Sequence, residues 1–231
     1  MNGVLKKILS VVLALLIVWL VYLIVQSVME PVNFNKEKAH RETVGIQRMK
    51  DLRDLEVAYK SVNNRFTASL DTLRDFYNNG KMKIVMQVGS SDDSLAVAHT
   101  DAVKKAHKGK VTPEILFDLY NKGDRNLVFS INQNVAVKDT LFHGREDFDI
   151  DSLGIIPFSG GKPVLMDAVV KKVSGVDVPL FEAKMPYDDL LKGLERQLVV
   201  NLNYDRQNQN KYEGLQVGSV TAPNNNAGNW E

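Results

Sequence analysis

Twenty-two consecutive residues without a charge, Ile8 to Met29, constrain this chain more than any other feature of it. Ser10, Gln26 and Ser27 are the interruptions in an otherwise apolar run. As an α-helix the run would be roughly 33 Å long, close to a hydrocarbon core of about 30 Å. It is apolar all round, which suits lipid better than the one-sided burial of a soluble helix. Lys6 and Lys7 precede it, as a basic region precedes a signal sequence. The run is longer than the roughly 7–15 apolar residues of a cleaved signal, and Val25-Gln26-Ser27 begins with valine where a cleavage site wants a small residue. Residues 1–30 therefore read as an uncleaved signal anchor, with Ile8, Leu13, Leu16, Trp19, Leu23 and Val28 among its membrane residues. Lys36, Lys38 and Arg41 follow the run, so basic residues flank both ends. The short tail ahead of Lys6 favours a cytoplasmic N-terminus and a bulk outside the cytoplasm.

Residues 31–66 read as a stalk helix. Ile46, Met49, Leu52, Leu55, Tyr59 and Val62 recur at three- and four-residue steps and form one apolar face for packing. Arg48, Lys50, Asp51, Arg53, Asp54 and Lys60 are expected on a solvated opposite face. Pro31 is expected to kink or break the path between anchor and stalk. Residues 67–231 then read as one globular part. A short helix over Leu70–Asn79 ends at Gly80, and Lys81–Val88 alternates as a strand. Thr112-Pro113-Glu114 starts a helix that Gly123 ends, and Asn126–Lys138 reads as strand. Val164–Val173 and Val176–Lys184 flank Ser174-Gly175 as a hairpin, with Pro179 marking an edge strand or bulge. Pro186-Tyr187-Asp188 opens a helix through Leu190, Leu191, Leu194, Leu198 and Val199, and Leu215–Val220 reads as a last strand. Helices mixed with hairpins, rather than alternating βαβ units, give an α+β fold.

Asn35-Lys36-Glu37-Lys38-Ala39-His40-Arg41 begins four positions after Pro31. Ala58-Tyr59, Asn64-Arg65-Phe66, Leu70-Asp71-Thr72-Leu73 and a terminal Gly228-Asn229-Trp230 follow it. In this order the chain resembles the major pseudopilin of type II secretion systems and its type IV pilin relatives. In that family a membrane helix passes a proline into an N-K-E-K-A-x-R stretch, then an N-x-R-Y-P turn and a short helix. The resemblance covers roughly residues 31–76 and the last few. It implies a pilin-like fold carrying a large insertion, about Gly89 to Tyr212. It also implies an inner-membrane location, a periplasmic domain, a role in protein transport, and packing with like or unlike subunits. Lys6-Lys7-Ile8-Leu9-Ser10 stands where the family has its prepilin-peptidase site, and Thr67 stands where the turn proline would be. These departures favour an assembly scaffold over a processed filament subunit.

Few groups suggest chemistry. Lys plus Arg number 29 and Asp plus Glu 28, so no basic field points to nucleic acid. With no cysteine there is no thiolate zinc site, disulfide or cysteine nucleophile. Asp147, Asp149 and Asp151 alternate as a solvated strand face or turn; as a calcium loop the pattern has Ser152 and Phe158 where glycine and glutamate belong. Some family members hold calcium before the C-terminal tryptophan, which here would fall to Asn224, Asn226 and Asn229, without a carboxylate. No residue is assigned to catalysis or to a cofactor. The chain is therefore expected to be a non-enzymatic, membrane-anchored structural subunit or scaffold of a cell-envelope assembly. The alternative is a membrane-tethered periplasmic binding module or enzyme of unknown substrate.

Overall fold

A computed structural model describes residues 3–107 and 110–231; the side chains of residues 4–8, Lys6, Lys7 and Ile8 among them, lie outside the described set. The fold is α+β. Helix α1, Gly3–Asn63, is 61 residues long and runs through Pro31 without a break. The expected break does not occur. Proline deprives the Ser27 carbonyl of its helical partner, a local cost of about 3 kcal/mol, but each residue beyond a formed helix still adds its own hydrogen bond.

The chain divides into two compact units. The first comprises Met1–Val57, Arg65–Leu70 and Asp149–Glu231; the second comprises Ala58–Asn64 and Asp71–Phe148.

The first unit holds most of α1 and a three-stranded antiparallel sheet. Its strands are β3 (Leu165–Val173), β4 (Val176–Pro186) and β5 (Gly214–Gly218), in the order β3-β4-β5. β3 and β4 form the hairpin the sequence predicts, pairing Val173 with Val176 and Leu165 with Lys184. Ser174 and Gly175 both take positive φ, as a two-residue turn of the right hand requires. β5 pairs only with Glu182–Pro186, so Pro179 lies where β4 has a free edge and loses no ladder bond. The helix expected from Pro186 is two helices, α7 (Tyr187–Leu190) and α8 (Arg196–Asn208). Gly193 separates them at φ 84°, a conformation no helix continues through. Leu180, Phe181, Ala183, Met185, Leu190, Leu191, Leu215 and Val217 make the core.

The second unit is built on a two-stranded antiparallel sheet of β1 (Lys81–Val88) and β2 (Phe129–Ala136). Its helices are α2 (Leu70–Asn79, of which all but Leu70 belong here), α3 (Ser94–Ala106), α4 (Pro113–Asn121) and the one-turn α5 (Val137–Thr140). The alternation in β1 appears as expected: Lys81, Lys83, Val85 and Gln87 are exposed, and Met82, Ile84, Met86 and Val88 turn inward. Val88, Leu116, Leu127, Phe129 and Ile131 form its core. The Thr100 hydroxyl accepts the Val128 amide at 2.8 Å and donates to the Ala96 carbonyl, joining α3 to the approach to β2. Another one-turn helix, α6 (Ile150–Leu153), belongs to the first unit.

Candidate membrane span and helix–sheet interface

Two environments divide α1. From Leu9 to Val32 every large apolar side chain is exposed. Among the described residues this helix alone carries a segment long and apolar enough to cross a membrane, and none of that segment is buried. Leu13, Leu16, Trp19, Leu23 and Val28 all belong to this bare surface. At Phe34 burial begins.

Within the first unit, a row of polar contacts fixes α1. The Arg41 guanidinium donates to Glu37 at 2.8 Å and to the carbonyls of Lys192 (2.9 Å) and Leu190 (3.3 Å). One residue on, Glu42 accepts from the Tyr187 hydroxyl and pairs with Lys38 at 3.5 Å. Burial and the facing Glu42 carboxylate push the Tyr187 phenol well above its ordinary range, so it stays a donor. Gly45 comes next. A Cβ there would stand 2.7 Å from Leu215 Cδ1, so any larger residue requires the Leu215 side chain to shift. Met49, Leu52 and Leu55 follow, each fully buried. Of the expected packing face, Ile46 is half-buried and Val62 is exposed. Tyr59 is buried in the second unit, edge-on to Phe76 at 5.3 Å.

The opposite face of α1 is less solvated than expected. Asp51 is buried and accepts from Gln47 at 2.9 Å. Arg48 is half-buried, donates to the Ile155 carbonyl at 2.6 Å, and has its pKa lowered by that burial against the pull of Asp149 and Asp51. Arg53 reaches the Asn226 carbonyl at 3.5 Å and Glu231 at 2.6 Å. The end of α6 with Ile155, and the loop at 226–231, cover charges that would otherwise face water.

Glu56 is a residue the sequence reading missed. It is fully buried, four residues after Leu52 and three before Tyr59, on the apolar face itself. One oxygen accepts the Thr67 amide at 3.2 Å, and Oε1 has no partner among the described residues. Burial raises its pKa to about 8, against which the Thr67 bond works only in part. At neutral pH this carboxyl is mostly protonated. Its helical phase was the available signal; its charge concealed it.

Gly228-Asn229-Trp230 closes onto β5. The Asn229 amide group donates to the Gly214 carbonyl at 2.9 Å, and its oxygen accepts the Gln216 amide at 3.1 Å. Gly228 bridges to Val217. A Cβ on Gly228 would stand 2.4 Å from the Trp230 ring, so glycine makes room for the indole. Asn224 and Asn226 serve the loop: the Asn224 oxygen accepts the Asn226 amide at 3.1 Å, and Asn225 and Asn226 take positive φ, which asparagine tolerates.

Asp147, Asp149 and Asp151 do not share a strand. Asp147 forms a two-bond pair with Arg145, which holds its carboxyl below the usual range. Asp149 caps α6 by accepting the Asp151 and Ser152 amides, and Asp151 lies inside that helix. A short acidic side chain satisfies a helix start more readily than it sits in a ladder, which is why the alternation gave no strand. Among the described residues no group of three or more histidine or carboxylate side chains comes together to hold a metal ion. Comparison of the chain with protein-family models, with curated proteins and with solved structures found no match.

Proposed function

We propose that this chain is a single-pass membrane protein acting as a structural subunit or scaffold of a cell-envelope assembly, of the kind type II secretion pseudopilins build. The observation that carries the reading is the change of environment along one unbroken helix. Residues 9–32 present apolar side chains on every side, while residues from Phe34 are held against a sheet of the chain's own. Bare apolar surface of this extent is unfavourable in water by about 25 cal/mol per Å² and is far larger than soluble monomers tolerate. A bilayer covers it, and the 22-residue uncharged run has the matching length.

In this reading Lys6 and Lys7 lie on the cytoplasmic side of an inner membrane. The remainder lies in the periplasm or exterior. The Asn35–Arg41 segment is a collar: Arg41, with Glu42 beside it, clamps α1 to α7 just outside the lipid. A helix so clamped presents its apolar half to neighbouring membrane helices in one fixed orientation.

The test uses the chain's lack of cysteine. Single cysteines at Val18 and Val57, both exposed, are crosslinked in native membranes, and the products and the mature N-terminus are read by mass spectrometry. Crosslinks to like or unlike envelope subunits are expected from both positions. A chain recovered only as monomer sinks the assembly reading.

A further inference from the structure

The clamp between α1 and the α7–α8 connection leaves a groove with a cavity volume of about 460 Å³, within the range of small-molecule sites. Gln26, Met29 and Glu30 line it at the end of the apolar run, and Phe34 lines it one turn further on. Leu194 and Glu195, beside the turn at Gly193, close the other side. Along α1 the lining runs from Gln26 to Glu37, a rise of roughly 16 Å. On the proposed membrane anchorage, on which this inference rests, that rise begins in the last hydrocarbon layer and passes through the headgroups.

Its charge is one-sided. Glu37 is occupied by Arg41, which holds its carboxyl below the ordinary range. Glu30 and Glu195 have no basic partner, and no lysine or arginine lines the groove, among the described residues. Met29, Phe34 and Leu194 supply apolar contact between the two acids. An occupant must therefore carry a cation, tolerate apolar contact, and have a tail able to continue along the bare surface of α1 toward Leu23 and Trp19.

We propose that the groove holds the head of a phospholipid with a primary ammonium, phosphatidylethanolamine. Glu30 and Glu195 receive the ammonium, and the acyl chains follow α1 into the hydrocarbon. An anionic head such as that of phosphatidylglycerol meets two carboxylates without a basic partner among the described residues, Glu30 and Glu195, the latter also capping α8 through the Gln197 amide at 3.5 Å, and is rejected.

Full-length protein is reconstituted into nanodiscs of equal phosphatidylethanolamine and phosphatidylglycerol with matched acyl chains, then released into mild detergent. Retained lipid is counted by native mass spectrometry. The expected result is retention of phosphatidylethanolamine over phosphatidylglycerol by about three- to tenfold, from two ion pairs of ordinary strength. The preference falls to parity in the Glu30→Gln, Glu195→Gln double variant and persists in Asp205→Asn, an exposed acid of α8 outside the groove. Equal retention by the unaltered chain, a preference that survives the double variant, or one lost with Asp205→Asn overturns the proposal. Alkaline extraction of native membranes reads the anchor separately. A chain that stays in the membrane but shows no preference refutes the groove alone, whereas a chain released by alkali refutes both.

Discussion

The two halves of α1 share one backbone geometry and meet opposite surroundings. Between Leu9 and Val32 the apolar side chains are more numerous than in the following stretch, yet none of the large ones is covered. Between Phe34 and Leu55 the apolar residues are sparser, and Phe34, Met49, Leu52 and Leu55 are buried on one face. Hydrophobic content therefore does not decide what packs inside this protein; arrangement does. A helix that is apolar all round cannot be buried on all sides by a sheet of three strands. One that alternates Gly45, Met49, Leu52 and Leu55 with charged residues needs only one partner surface.

Substitutions that treat the halves differently sharpen this contrast. The largest effect is expected from Leu16→Arg with Leu20→Arg, which places two charges mid-span at about 3 kcal/mol each. Membrane retention after alkaline washing should collapse, while a chain that stays put would show that the bare half is not in lipid. Leu52→Ala removes a fully buried side chain and should lower the stability of the first unit by about 4 kcal/mol, read from the denaturant midpoint in detergent. Leu15→Ala, the same chemistry in the exposed half, should leave that midpoint unchanged.

Glu56 gives the packed half a pH dependence that the bare half lacks. Its folded pKa of about 8 lies above the ordinary 4.5, so the folded state binds the proton more tightly. The stability tied to that proton is complete below pH 4.5 and is lost as pH rises toward 8, a change on the order of 5 kcal/mol. Glu56→Gln should flatten the profile and raise the midpoint at pH 8.5; an unaltered profile would mean the carboxyl is solvated. The smallest loss is expected at Gly45→Ala. Overpacking against Leu215 is offset by about 1 kcal/mol of helix propensity, leaving a net loss of roughly 1 kcal/mol. A gain in stability there would show that the helix–sheet contact has slack.

Local signals carried the elements well. Gly80 and the Lys81–Val88 alternation place α2 and β1 as the structure has them, and Ser174-Gly175 places the hairpin. Met49, Leu52, Leu55 and Tyr59 were legible because a buried face repeats with the helical period. Contacts distant in sequence were not legible. Arg48 loses water to a segment more than 100 residues away, and nothing local announces such a cover. Glu56 escaped because a carboxylate on an apolar face is ordinarily excluded, and only the loss of its charge makes it compatible with the site. The α7–α8 break was written in Gly193, but the leucines on either side hid it.

In sequence, the second unit interrupts the first. The sheet that receives α1 is supplied by residues 149–231, after Asp71–Phe148 have been laid down as a separate unit. Leu52, Leu55 and Glu56 must therefore wait uncovered while nearly a hundred further residues are made, and closing so long a loop slows that step. The inner unit has mostly local partners and is free to form early. During synthesis the apolar face of the helix is thus a transient liability until residues 149–231 arrive to cover it.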